Sequence, residues 1–316
     1  MDAETTLLIF GSLAASKPLA KLIEAVSEHI GAERESGRIK KNADAIRHAN
    51  AQEELSKADS ARIRRHARME QRLENRECRR QTIREEIIGG AGKELPAVVS
   101  DKPPSQDWLH HFFNSCEDVS DKQMQAIWSR LLAGEVAVPG SFSQRTISVV
   151  KTLTSDDANL FTTYCGFAWT VDGYPGFEHP HHFVPDMCAI GGPGGFVDVR
   201  LSGRRDFIGE AVPYSKRAHL ESLGLIKVNP GTQTTSFAVS DSRNAPLLYH
   251  GRTYLISPRR SDQQPAYQQP ITLQLRMDLF TSVGDELFPL AGAEPNETYR
   301  FEFVSRIKAM GFNVVG

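Results

Sequence analysis

Cysteine is scarce in this chain of 316 residues: Cys78, Cys116, Cys165 and Cys188 stand far apart and form no C-x-x-C pair. That spacing fits reduced thiols in a cytoplasmic protein better than a disulfide framework. A long apolar run is missing too. The one candidate for export or insertion, Thr5 to Ser16, has no charged residue before Lys17 and Pro18, but it falls short of the roughly 20 residues that span a bilayer. It also follows Asp2 and Glu4, where a signal peptide would carry positive charge, so a helix buried in the core or in a partner is expected. Neither sign of charge dominates: 37 Lys plus Arg stand against 39 Asp plus Glu, a formal net charge of -2. Bulk charge therefore implies neither generic nucleic-acid affinity nor disorder, and local charge has to carry any such argument. Catalytic fingerprints are absent as well. No G-x-S-x-G, H-E-x-x-H, G-K-[ST] or kinase set occurs, so no catalytic residue and no cofactor are assigned.

The length suggests two domains, or one with a long appendage. Proline and glycine are both missing from Arg38 to Ile88, a segment rich in Ala, Glu, Arg, Lys and Gln. These are good helix formers, and a continuous helix there would reach about 75 Å, with Gly89-Gly90 as its expected end. Its large apolar residues keep no steady heptad, which argues against a regular coiled coil. Charge is what this helix organises. At 100° per residue, Arg65, Arg68, Arg72, Arg76 and Arg79 fall within about an 80° sector, while Glu70, Glu74 and Glu77 lie opposite. A merely solvated helix interleaves its signs. Segregation points to an anionic partner: an acidic protein, a second copy of the chain, nucleic acid or, less favoured, an acidic membrane surface. Arg suits planar, bidentate contacts to carboxylate or phosphate.

Before this helix, Leu19, Leu22, Ile23, Val26 and Ile30 recur at helical spacing after Pro18. After it, Leu95 to Gln106 is rich in proline and serine and reads as a linker, residues 95–106, that bounds an N-terminal helical region, 1–94. A four-helix block is expected over 107–165. Trp108, Leu109, Phe112 and Phe113 share one face; Ser120 with Gln123 forms a capping box for a helix carrying Met124, Ile127, Trp128, Leu131 and Leu132, with Gly134 as its stop. Pro139-Gly140 reads as a turn, Ser141 or Ser143 as the next cap before Arg145 and Thr146, and Thr154 with Asp157 as the cap of a fourth helix. Glu135 and Arg145 are candidates to bridge that joint.

Residues 166–316 alternate strands, turns and short helices, so the fold class is α+β, with a C-terminal domain that has winged-helix-like order: Lys216 to Ile226, KRAHLESLGLI, reads as a helix turning at Gly224 into a strand. Lys216 and Arg217 there form a second candidate nucleic-acid contact. The segment EHPHHFVPDMC, 178–188, holds metal-ligand residue types, but adjacent His181 and His182 diverge and two prolines break the geometry, so no metal site is assigned. Gly191 to Gly195, GGPGG, reads as a turn between strands.

The residues DWLHHFF and EDVSDKQMQAIWSRLLAGEVAVPGSFSQRTISVVKTLTSDDANLF resemble an uncharacterised bacterial family, a domain of unknown function. They are also similar to the abortive-infection alpha proteins in W-x-x-L-L-A-G and in the following L-[ST]-x-x-D-A. Within that signature Trp108, Trp128, Gly134, Glu135, Pro139, Gly140, Ser141, Ser143, Arg145 and Thr146 are expected to be structural. The resemblance implies a bacterial cytoplasmic protein with a part in phage defence and transfers no catalytic residue; with the arginine face, the expectation is a non-enzymatic interaction protein.

Overall fold

The computed structural model describes residues 16–27, 57–175, 177, 179–192, 195–198, 207–229, 235–240, 243–259 and 271–316. Among these the chain is a mixed α+β protein of helices and an antiparallel sheet. It separates into two compact units, Met1–Lys151 and Thr152–Gly316. The apolar stretch Thr5 to Ser16 lies outside the described residues save for Ser16, and no described helix is long and apolar enough to cross a membrane.

The first unit is helical. Helix α1 (Lys17–Val26) carries Pro18 in its first turn and buries Leu19, Leu22 and Val26 of the expected stripe together with Ala25; Ile23 is half-buried and Ile30 lies outside the described residues. Helix α2 (Lys57–Glu94) falls in the segment expected to form one long helix; residues 38–56 of that segment lie outside the described residues. It is followed by α3 (Gln106–Cys116), α4 (Lys122–Ala137) and α5 (Gln144–Val150). The core between them is aromatic. Trp108 stacks on Phe112 at 5.1 Å between ring centroids, and Phe112 meets Trp128 edge-on at 5.2 Å. The Trp108 indole N–H donates to the Phe142 carbonyl at 2.7 Å, so the buried polar atom is satisfied.

Two glycine assignments change. Gly89-Gly90 does not stop α2, which continues to Glu94, because Gly90 is where the helix crosses α4: a Cβ there would stand 2.9 Å from Ser129 Cβ. The Ser129 hydroxyl lies 3.0 Å from the Ile87 carbonyl and 2.9 Å from the Gln125 carbonyl, tying the two helices at this point. Gly134 likewise lies inside α4, which runs on to Ala137; a Cβ would approach the Phe142 ring to 2.7 Å. Both glycines serve close packing, not termination. The cap of α4 also moves by one residue, since Asp121 and not Ser120 accepts the Met124 N–H, at 2.8 Å.

Residues 95–105 are not helical, as expected, yet they lie within the first unit. Val99 is buried, and the Ser100 N–H donates to the Ala137 carbonyl at 2.9 Å.

The second unit begins with α6 (Ser155–Cys165), whose capping box of Thr154 and Asp157 is present as expected. Its Phe161 and Tyr164 rings pack on Phe280. This is why the helix groups with the sheet and not with α3 to α5. The strands are β1 (Trp169–Val171), β2 (His181–Gly192), β3 (Gly195–Asp198), β4 (Ile226–Lys227), β5 (Thr235–Val239), β6 (Ala245–Tyr249), β7 (Arg252–Pro258), β8 (Ile271–Phe280) and β9 (Phe312–Val315). They form one nine-stranded sheet in the order β4-β8-β2-β1-β6-β7-β9, with β3 paired to β2 and β5 to β8. Four helices interrupt them: α7 (Phe207–Ala211), α8 (Tyr214–Ser222), α9 (Ser282–Leu287) and α10 (Glu297–Ala309).

Alternation dictates the faces. In β8 the pattern Ile271, Leu273, Leu275, Met277 is buried at every second residue. Tyr299 and Phe303 of α10 meet Phe167 and Trp169, which closes one side of the core. The GGPGG segment joins β2 to β3, with Gly192 paired to Gly195. Between β6 and β7, His250 and Gly251 take φ of 44° and 81°, the two left-handed residues of a tight hairpin turn. Helix α8 is followed by Gly224 at φ 77° and then by β4, the helix-to-strand turn expected at that glycine. That strand, however, pairs with β8 inside the nine-stranded sheet.

Candidate docking surface on the long helix

Helix α2 has a seated half and a free half. From Arg80 onward it is anchored by Ile83, Ile87, Ile88 and Ala91, all buried; each isoleucine contributes about 2 kcal/mol of transfer free energy. Two arginines seal the edge of that seat. Arg80 makes a bidentate contact to Asp118, Nε to Oδ1 at 2.9 Å and Nη2 to Oδ2 at 2.7 Å, and reaches Glu117 at 3.0 Å. Arg84 pairs with Glu117 through Nη2. The hydrogen bond from Arg80 holds the Asp118 carboxyl below its ordinary range, and the same bond raises the guanidinium. Lys122 adds an ion pair to Glu86 at 2.7 Å.

Upstream the helix is different. No residue between Ser60 and Arg79 is buried, and the apolar Met69 and Leu73 are 48% and 50% exposed. This arm carries the arginines singled out by the sequence. Arg79 reaches Asp118 at 3.6 Å, and Arg76 contacts its neighbour Glu77 at 3.2 Å. Arg65, Arg68 and Arg72 are exposed and form no ion pair among the described residues; Arg64 is in the same state. With Gln71 and Asn75, Arg65, Arg68 and Arg72 line a shallow open depression of about 530 Å³. The expected five-residue stripe therefore divides into a tethered end and an unsatisfied end.

The second candidate contact separates too. Lys216 is exposed, but Arg217 is turned inward, with Nη1 2.8 Å from Asp278 Oδ2. Asp278, buried in β8, also accepts from the Tyr164 hydroxyl and the Asn229 N–H, each at 2.8 Å. Arg217 is thus the counter-charge of a buried carboxylate and unsuited to an external ligand.

In the stretch from Glu135 to Thr146 several side chains hold the backbone between α4 and α5. Glu135 is 2% exposed; its Oε1 accepts the Gly140 N–H at 2.7 Å and its Oε2 the Phe142 N–H at 3.1 Å. It closes the turn after α4 through backbone, and Arg145 is exposed on α5. Gly140 has φ of 90° after Pro139, Ser141 Oγ donates to the Val138 carbonyl, and Ser143 caps α5 by accepting the Thr146 N–H at 3.2 Å.

Of the histidine segment, His182 Nδ1 lies 2.8 Å from Asp285 Oδ1 and His181 Nδ1 3.5 Å from Oδ2. The His182 ring also stacks on Phe288, at 3.9 Å between centroids. Among the described residues no group of three or more His, Cys, Asp or Glu is placed to hold a metal ion. Sequence reasoning missed the clamp of Arg80, Arg84, Glu117 and Asp118. The available signal was the acidic pair Glu117-Asp118 ahead of a capped helix, which is legible only once α2 is known to pass beside it.

Comparison with known proteins returns one family and no relative. The family described as "Protein of unknown function (DUF2806)" matches residues 67–303, three quarters of the chain, and the chain belongs to it. No curated protein and no solved structure matches.

Proposed function

We propose that this member of the DUF2806 family is a non-enzymatic interaction protein, in which the free half of α2 docks an anionic macromolecule. The observation that carries the reading is the contrast along one helix: Arg80 and Arg84 have carboxylate partners, whereas Arg64, Arg65, Arg68 and Arg72 are exposed and form no ion pair among the described residues. Guanidinium groups aligned on one face without counter-charge raise the local potential and favour an external anion. The resemblance of the block around Trp128 to abortive-infection alpha proteins supports placing this interaction in a bacterial phage-defence response, as a sensor or effector in the cytoplasm.

The test is retention of the purified protein on an immobilised sulfated polysaccharide across a salt gradient. The unaltered protein is expected to need markedly more salt for elution than Arg68→Glu/Arg72→Glu. Equal elution of the two would remove the arm as the docking surface.

A further inference from the structure

The chemistry of the arm's docking face goes further than its charge. Residues 64 to 79, placed at 100° intervals, put eight side chains into one sector of about 140°. In order around the helix these are Gln71, Arg64, Asn75, Arg68, Arg79, Arg72, Arg65 and Arg76. The sector contains nothing but arginine and carboxamide. Every apolar residue of the segment, Ala67, Met69, Leu73 and Cys78, and every carboxylate, Glu70, Glu74 and Glu77, falls outside it.

That composition discriminates between anionic partners. A protein interface is organised around a desolvated apolar or aromatic centre with charge at its rim, and this sector offers no such centre. Contacts to a nucleic-acid backbone need none: they come from Arg together with Asn and Gln, which donate to phosphate and sugar oxygens. The spacing is compatible with such a ligand. Arg65, Arg68 and Arg72 advance along the axis in steps of about 4.5 and 6 Å, so the row can follow a line of charges that recur once per nucleotide. The glutamates on the far side repel the same backbone and confine it to one face.

We infer that the arm of α2 binds the phosphate backbone of a nucleic-acid strand, with Arg64, Arg65, Arg68 and Arg72 as its phosphate contacts and Gln71 and Asn75 as neutral donors between them. This rests on the docking reading above and names its partner. Recognition through the backbone alone predicts affinity without sequence preference.

Fluorescence anisotropy of the full chain with labelled DNA of about 20 nucleotides, single-stranded and duplex, tests it. Binding should weaken steeply with salt, with a log–log slope of about -3 to -4 for four phosphate contacts. Arg68→Glu/Arg72→Glu should lower affinity at least about tenfold and flatten that slope, with the circular dichroism unchanged because both positions are exposed. Arg68→Lys/Arg72→Lys should keep most of the affinity, since phosphate demands charge before geometry. Glu70→Gln/Glu74→Gln should not weaken it.

Absence of binding to either DNA at low salt would overturn the inference, as would equal affinity in the charge-reversed variant. Polyglutamate competing as well as DNA would also overturn it, while leaving the arm as a docking surface for acidic protein. If the sulfated polysaccharide, DNA and polyglutamate all ignore the charge reversal, both readings fall together.

Discussion

The two halves of α2 are built from similar residues and use them in opposite ways. In the seated half, isoleucines are buried and Arg80 and Arg84 are clamped by Glu117 and Asp118; in the arm, Met69 and Leu73 are half exposed and Arg64, Arg65, Arg68 and Arg72 have no carboxylate among the described residues. One helix thus shows that an arginine's role is set by what stands opposite it. A guanidinium with a fixed carboxylate is part of the fold, and one without is available to something else.

The sharpest way to break this comparison is to delete the same kind of side chain in each half. Ile87→Ala empties a fully buried site and should cost about 3 kcal/mol in chemical unfolding, whereas Leu73→Ala should cost no more than about 0.5 kcal/mol. Next in size is Gly90→Ala, which places a methyl against Ser129 and should cost about 2 kcal/mol, although alanine is intrinsically the better helix former. Smaller again is Arg84→Ala, expected to lower the stability of the first unit by about 1 kcal/mol, against an unchanged melting temperature for Arg68→Ala. The smallest effect is in pH. Asp118 has its folded pKa depressed, so its contribution is present above the ordinary carboxylate range and lost as pH falls through the folded value. The stability difference between the native chain and Asp118→Asn should therefore shrink as pH drops below about 4, and a thermal-melt series over pH reads it directly.

A second pH dependence sharpens the contrast between the two units. Burial lowers the His250 pKa, so in the sheet unit the folded state resists protonation. Stability there should be full above about pH 6.5 and decline as pH falls from that value toward the folded pKa, well before the clamp on α2 weakens. Hydrogen exchange resolved by segment would show β6 and β7 loosening first.

Periodicity was readable wherever one surface decides a residue's fate. The stripes of α1 and α3, the caps at Ser143 and Thr154 and the strand alternation of β8 all follow from local sequence. What escaped were contacts between segments distant in the chain. Gly90 and Gly134 look like helix stops because nothing local reveals Ser129 or Phe142 lying against them. Arg217 looks like a surface cation because its partner, Asp278, comes 61 residues later. Helix α6 adjoins α5 in sequence, but its rings pack on Phe280 in the last long strand. The arginine face itself was legible; which of its members remain unsatisfied was not, since that depends on Asp118.

Continuity between the halves has a thermodynamic consequence. Starting an isolated helix in water is unfavourable, because the first turn fixes several residues for a single hydrogen bond. Here that first turn already exists, held by Ile83, Ile87 and Ile88 in the seat, and residues toward Lys57 need only extend it. A ligand arriving at Arg68 and Arg72 meets side chains whose backbone is already ordered. Little backbone entropy is lost on binding, and the cost that remains is that of ordering the arginine side chains.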